Sequence, residues 1–181
     1  MADHRWAFML EIEIKSPTGD AAGVEARLRE LGAEFEGEVG QSDLYLAHPC
    51  RDFGSTDEAL RVRQEGDRYT LHYKGPKVDQ ETKTREEISV PLSHPEEMRM
   101  VLQRLGFREF ATVEKTRRVY MLREVGISLD HVAGLGDFVE LEVQGEDAEA
   151  GRKLLYQRMS ELGLERTERS SYLELLLQKQ G

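Results

Sequence analysis

Met9-Leu10-Glu11-Ile12-Glu13-Ile14-Lys15 decides how this chain folds. Glu11, Glu13 and Lys15 alternate strictly with Leu10, Ile12 and Ile14. A period of two belongs to a β-strand with unlike faces. One face is apolar. The other carries two carboxylates and an ammonium about 6–7 Å apart, given the ~3.3 Å rise per strand residue. Far along the chain, Phe138-Val139-Glu140-Leu141-Glu142-Val143 repeats the pattern. One such strand reads as a solvated sheet face. Two acidic strands in a chain that also holds cationic strands read differently.

The cationic strands follow the same rule. In Ala59-Leu60-Arg61-Val62-Arg63, the arginines share one face and Leu60 and Val62 the other. Glu65-Gly66-Asp67 turns that strand into Tyr69-Thr70-Leu71-His72-Tyr73-Lys74, where Thr70, His72 and Lys74 face one way. Thr84 to Val90 sets Arg85, Glu87 and Ser89 together, and Ala111 to Tyr120 sets Lys115 with Arg117. Ile127-Ser128-Leu129-Asp130 adds one more acid. Residues 33–47 read as one or two strands, with Leu44 and Leu46 alternating against Asp43 and Tyr45.

Between these strands lie amphipathic helices. One is expected over about 20–31, with Val24, Leu28 and Leu31 on one face and Gly32 as its stop. A second opens at Ser93-His94-Pro95 and carries Met98, Val101, Leu102 and Leu105. Two more are expected near 147–162 and 170–178. Residues 48–54 and 75–82 read as loops. Tyr172 and the apolar C-terminal helix serve either a homodimer or the core, and the core is the expectation. No linker or low-complexity stretch interrupts the 181 residues, so one domain, 1–181, is expected.

Net charge is −10. That argues against a nucleic-acid polymer as partner, because such affinity rests on Lys and Arg neutralising phosphates. It leaves room for a local cationic pocket, since local geometry sets the field in a cleft. The single cysteine, Cys50, allows no internal disulfide and fits a reducing cytoplasm. No segment approaches the ~20 apolar residues of a membrane span. A cytoplasmic protein without a membrane partner is the expectation.

If the helices cover the apolar strand faces, the charged faces look to water or to each other. The cations on those faces are mostly arginine, which suits bidentate phosphate contacts. The carboxylates have no His or Cys partners at metal-ligand spacing, and oxygen donors alone suit a hard cation, Mg²⁺ or Mn²⁺. A sheet curled so that its charged faces meet would be costly when empty and well paired around a metal–polyphosphate. His72 then reads as a wall residue of the interior, and His94 and His131 as surface.

In order along the chain, Glu11-Ile12-Glu13-Ile14-Lys15, Leu60-Arg61-Val62-Arg63, Leu71-His72-Tyr73-Lys74-Gly75-Pro76, Thr84-Arg85-Glu86-Glu87, Glu114-Lys115-Thr116-Arg117 and Asp130 with Glu140-Leu141-Glu142 resemble the motifs of the CYTH superfamily, the triphosphate tunnel metalloenzymes. That superfamily includes class IV adenylyl cyclases and thiamine triphosphatases, and the Lys-Gly-Pro step and length look closest to the class IV adenylyl cyclase branch. The resemblance implies an α+β fold: a closed eight-stranded antiparallel β-barrel, a tunnel with a charged interior, flanked by helices. It implies that Glu11, Glu13, Glu140 and Glu142, supported by Asp130 and Glu87, hold one or two Mg²⁺ or Mn²⁺ ions. It implies that Arg61, Arg63, Lys74, Arg85, Lys115 and Arg117 clamp the triphosphate. Glu11, Glu13 and Lys15 would take part in catalysis, with ATP or another triphosphate as substrate. The reaction is cyclisation of ATP to cyclic AMP and pyrophosphate, or hydrolysis by water activated by the metal or by Lys15; a non-catalytic polyphosphate or nucleotide binder is the third reading. Ser89 departs from the pattern, where a further acid is expected, and bears on a second metal.

Overall fold

The computed structural model describes residues 10–77, 85–145 and 147–180. Strand β1 (Leu10–Thr18) leads into α1 (Ala21–Glu30), whose N-cap Asp20 accepts from the Gly23 amide at 2.8 Å. Gly32, at φ 77°, stops that helix in the left-handed conformation expected of it. One long strand, β2 (Glu34–Ala47), follows, then the single turn α2 (Phe53–Thr56). The hairpin is β3 (Ala59–Glu65) and β4 (Arg68–Lys77). Next come β5 (Arg85–Leu92), α3 (Pro95–Arg104), β6 (Arg108–Leu122), β7 (Val125–Val132), β8 (Gly136–Gly145), α4 (Ala148–Glu161) and α5 (Tyr172–Gln180). Helix α3 is capped from His94, without a side-chain bond, rather than from Ser93. Most of the expected 75–82 loop falls outside the described residues, and β4 runs on to Lys77.

All eight strands form one antiparallel sheet in the order β1-β8-β7-β6-β2-β3-β4-β5. The sheet curls into a half-barrel. Residues from β1, β2, β3, β4, β5, β6 and β8 all line one cavity. A closed barrel was the expectation, and the described residues show a curled half-barrel without showing its closure. Among the described residues no ladder joins β1 to β5, which stand at the two ends of the sheet. Beside β1 the C-terminal segment makes one backbone contact, the Glu168 amide donating to the Lys15 carbonyl at 2.7 Å.

Three apolar clusters hold the layers together. The largest joins the convex faces of β1, β6, β7 and β8 to α1 and α4, through Ile12, Ile14, Leu141, Val24, Leu28 and Leu155. A second packs α3 on β2 and β3 through Leu46, Val62 and Leu102. The third lies on the opposite, charged face: Tyr45, Val113, Val132 and Phe138 receive Tyr172, Leu173 and Leu176 of α5. Helix α5 is therefore a core element, and its packing closes one end of the concave surface.

Candidate functional site

The β1–β8 register carries the site. Glu13 lies opposite Glu142, Lys15 opposite Glu140, and Glu11 opposite Gln144. Two acidic strands that are more than a hundred residues apart in sequence become direct neighbours. Period-two alternation then points Glu13, Lys15, Glu140 and Glu142 into the same cavity of about 510 Å³. Arg61, Arg63, Lys74, Glu87, Lys115 and Arg117 line it from the facing strands. The side chains of Glu11 and Arg85 lie outside the described residues.

The cations are held by acids. Asp43 on β2 lies opposite Arg63 on β3. Arg63 grips its carboxylate with Nε at 2.6 Å and a terminal nitrogen at 2.7 Å, and Arg61 adds a third contact at 3.1 Å. Burial alone would raise the Asp43 pKa. The Arg63 hydrogen bonds and the charges of Arg61, Arg63 and Lys115 outweigh it and hold the carboxyl at about 2. On the other flank of β6, Asp130 of β7 does the same for the β6 cations. Arg117 binds it bidentately at 2.7 and 2.6 Å, Lys115 at 3.0 Å, and the Tyr172 hydroxyl donates to it at 2.8 Å. Arg117 also reaches Glu140, and Lys74 pairs with Glu87. Lys115 has its pKa pushed down to about 8, chiefly by burial, with Glu140 opposing.

Lys15 is buried, and its ammonium donates to the Ser170 carbonyl. It sits 4.1 Å from the Tyr172 ring centroid and 5.7 Å from that of Phe138. Lys115 lies 5.0 Å from the same Tyr172 ring. One aromatic side chain thus positions two cations and one anion. His72 lies in the cavity wall as expected, 2.8 Å from Ser89 Oγ through Nδ1. Burial first, then Arg61 and Arg63, lowers its pKa to about 4, so the ring is neutral near pH 7. His94 and His131 are exposed.

The carboxylates suit a hard cation. Burial raises the Glu142 pKa, and Glu13 and Glu140 push it further up against Arg117 and Lys74. Such mutual repulsion is what a divalent ion relieves. Among the described residues no three acidic, His or Cys side chains are gathered into a ready-made cage.

Asp43 and Tyr172 were the residues that sequence reasoning missed or underused. Asp43 follows the alternation of Gln41 and Tyr45, all three buried, yet Leu44 and Leu46 drew attention to the other face. A buried acid opposite two arginines was the available signal.

A family model for the CYTH domain matches residues 9–172. The chain belongs to the CYTH domain family. A Methanocaldococcus jannaschii protein named "Putative adenylate cyclase" is 40% identical over 172 residues, 92% of this chain and 98% of that one. A solved structure from Pyrococcus horikoshii OT3 superposes with a TM-score of 0.87 at 41% identity, over 93% of this chain and 99% of that one. A second protein so named, from Hippeastrum, in which triphosphatase activity is dominant, superposes with a TM-score of 0.70 over 95% of this CYTH chain and 96% of its own. At 20% identity that likeness speaks to the fold alone. Among the described residues of this CYTH protein, no helix is long and apolar enough to cross a membrane.

Proposed function

We propose that the cavity binds a triphosphate with a divalent cation, Mg²⁺ or Mn²⁺, and that the protein is a class IV adenylyl cyclase-like enzyme converting ATP to cyclic AMP and pyrophosphate. The observation that carries this reading is the β1–β8 register, which puts Glu13, Glu140 and Glu142 on one wall of a cavity whose other walls present Arg61, Arg63, Lys74, Lys115 and Arg117. Glu13, Glu140 and Glu142, with Glu11, would hold the ion. The bound cation supplies charge neutralisation at the phosphorus under attack and on the leaving phosphate.

The chain's own residues do the rest. Arg61, Arg63, Lys115 and Arg117 are fixed in advance by Asp43 and Asp130, so they meet phosphate oxygens without first being ordered. Asp130 and Glu87, first read as supporting ligands, are engaged by Lys115, Arg117 and Lys74; in this reading they hold the cations. Arg85, by the motif it belongs to, joins the clamp. Lys15, among a carbonyl and two aromatic faces, is in a setting that suits an ammonium acting by its charge. Hydrolysis of the terminal phosphate needs the same clamp and is the second reading.

Product analysis separates the readings. The purified protein is given Mg²⁺ or Mn²⁺ and ATP, inorganic triphosphate or thiamine triphosphate. Cyclic AMP plus pyrophosphate is the expected result. Orthophosphate without a cyclic product identifies a triphosphatase. Tight binding without turnover identifies a binding module.

A further inference from the structure

His72 lines the cavity but takes no part in the pairing of its acids with its cations. On β4 it shares a face with Lys74, and in the two ladders it stands opposite Arg61 of β3 and Ser89 of β5. Its ring is held at one nitrogen. Nδ1 lies 2.8 Å from the Ser89 hydroxyl oxygen. Nε2 is buried and, among the described residues, makes no hydrogen bond. Arg61, its neighbour across the ladder, is in the same condition at Nε, although its terminal nitrogen holds Asp43. A buried nitrogen without a partner has lost its hydration for nothing, and a ligand oxygen that pairs with it recovers that loss.

The surroundings of the ring say what that ligand atom is. The acids near it are engaged: Glu87, on the same face as Ser89, pairs with Lys74, and Asp43 is gripped by Arg61 and Arg63. Burial first, then Arg61 and Arg63, keeps the ring neutral near pH 7. A neutral imidazole has one N–H donor and one acceptor nitrogen. With the Ser89 hydroxyl donating to Nδ1, the proton sits on Nε2, and the ring presents a donor among cations. A set of N–H donors of this kind suits an anion, which in this cavity is phosphate. Ser89 gains a role as well. A carboxylate in its place could only accept, so it would draw the proton to Nδ1 and leave Nε2 an acceptor; a hydroxyl can donate.

We propose that His72 is a phosphate-binding residue that donates from Nε2–H to an oxygen of the bound triphosphate, and that Ser89 is the positioning residue that sets this tautomer. The inference rests on the phosphate-clamp reading of the same cavity. It adds to the arginines and lysines a donor of another kind. A neutral ring orients one oxygen without adding charge to the site. It also has no proton to give up at neutral pH, so its part is orientation and not acid catalysis.

The test joins imidazole ¹⁵N NMR to calorimetry, with Mg²⁺ and bis-methylene tripolyphosphate as the ligand. The His72 signals are identified by their absence from His72→Gln. In the wild-type complex the ring should carry its proton on Nε2, and that N–H should shift as the analogue is added. His72→Ala should weaken binding about tenfold, the scale of one hydrogen bond to a charged group. His72→Gln, which keeps a neutral N–H donor, should stay within about threefold of wild type. Ser89→Ala should leave a mixed tautomer and cost about threefold. A ring protonated on Nδ1 in the complex, with Nε2 turned to accept from Arg61, overturns the proposal, and so do signals that do not move at saturation. Unchanged affinity in His72→Ala overturns it too, as does an equal loss in His72→Ala and His72→Gln, which marks a structural role. An unchanged tautomer in Ser89→Ala overturns the positioning role. The wild-type spectrum decides even where a variant fails to fold. In each of these cases wild type still binds the analogue and the clamp stands; failure of wild type to bind it removes the clamp and the His72 contact together.

Discussion

Asp43 has more riding on it than any other side chain that the sequence left unmarked. Its carboxylate is 3% exposed and holds two arginines that are each 13% exposed. Its folded pKa of about 2 lies below the ordinary aspartate value of 3.8. A depressed carboxyl pKa contributes stability above the unfolded value and loses it as pH falls through the folded one. Between pH 3.8 and about 2, wild type should therefore lose on the order of 2 kcal/mol that Asp43→Asn does not lose. Urea unfolding of both proteins at pH 5 and near pH 2.5 checks this; parallel losses would contradict it. At pH 7, Asp43→Ala should cost about 3–5 kcal/mol, because it strands buried guanidinium groups. Tyr172→Phe is milder. It keeps the ring between Lys15 and Lys115 and removes only the hydroxyl donated to Asp130, which should cost about 1 kcal/mol. Thermal unfolding measures it.

At the scale of elements, strands were more legible than their partners. Alternation in β1, β3, β6 and β8 reported face and charge, because each strand buries one side against helices. It could not report that β1 pairs with β8 through Glu13 opposite Glu142, because register depends on the whole sheet. Helix α5 shows the opposite limit. Its apolar residues signalled a helix, but not that it would lie on the charged face against Phe138 and Tyr45. The apolar patch there consists of single residues set two positions from charged ones, such as Val113 beside Lys115. On β7, Gly126 lies opposite Glu142, and a Cβ added there would meet Glu142 Cγ at 3.1 Å and Oε1 at 3.2 Å. Gly126→Val should push Glu142 aside. The expected outcome is a several-fold higher Mg²⁺ requirement, read as half-saturating metal in the activity assay, with a smaller change in substrate KM. An unchanged metal requirement would argue that Glu142 is not a ligand.

On the scale of the molecule, an acidic chain of net charge −10 sets seven of its 25 lysines and arginines around one cavity. The half-barrel makes this tolerable by pairing cations with acids while its helices bury the apolar convex faces. Among the described residues the sheet is a curled half-barrel with β1 and β5 at its two ends, and the C-terminal segment reaches β1 through Glu168. Nothing in the Glu11–Lys15 motif itself could have shown that contact from the far end of the chain. Lys74 and Glu87 are partly exposed, at 21% and 28%, so their pair adds little stability. Lys74→Ala should weaken triphosphate binding while the melting temperature holds within a few degrees.

This cavity should take a triphosphate only together with a divalent cation. The most direct measurement is a calorimetric titration of bis-methylene tripolyphosphate into the protein, once with Mg²⁺ and once with excess chelator. Saturable binding at one site per chain is expected with Mg²⁺, and its loss in chelator. Equal binding in the two buffers, or none with Mg²⁺ present, would contradict it.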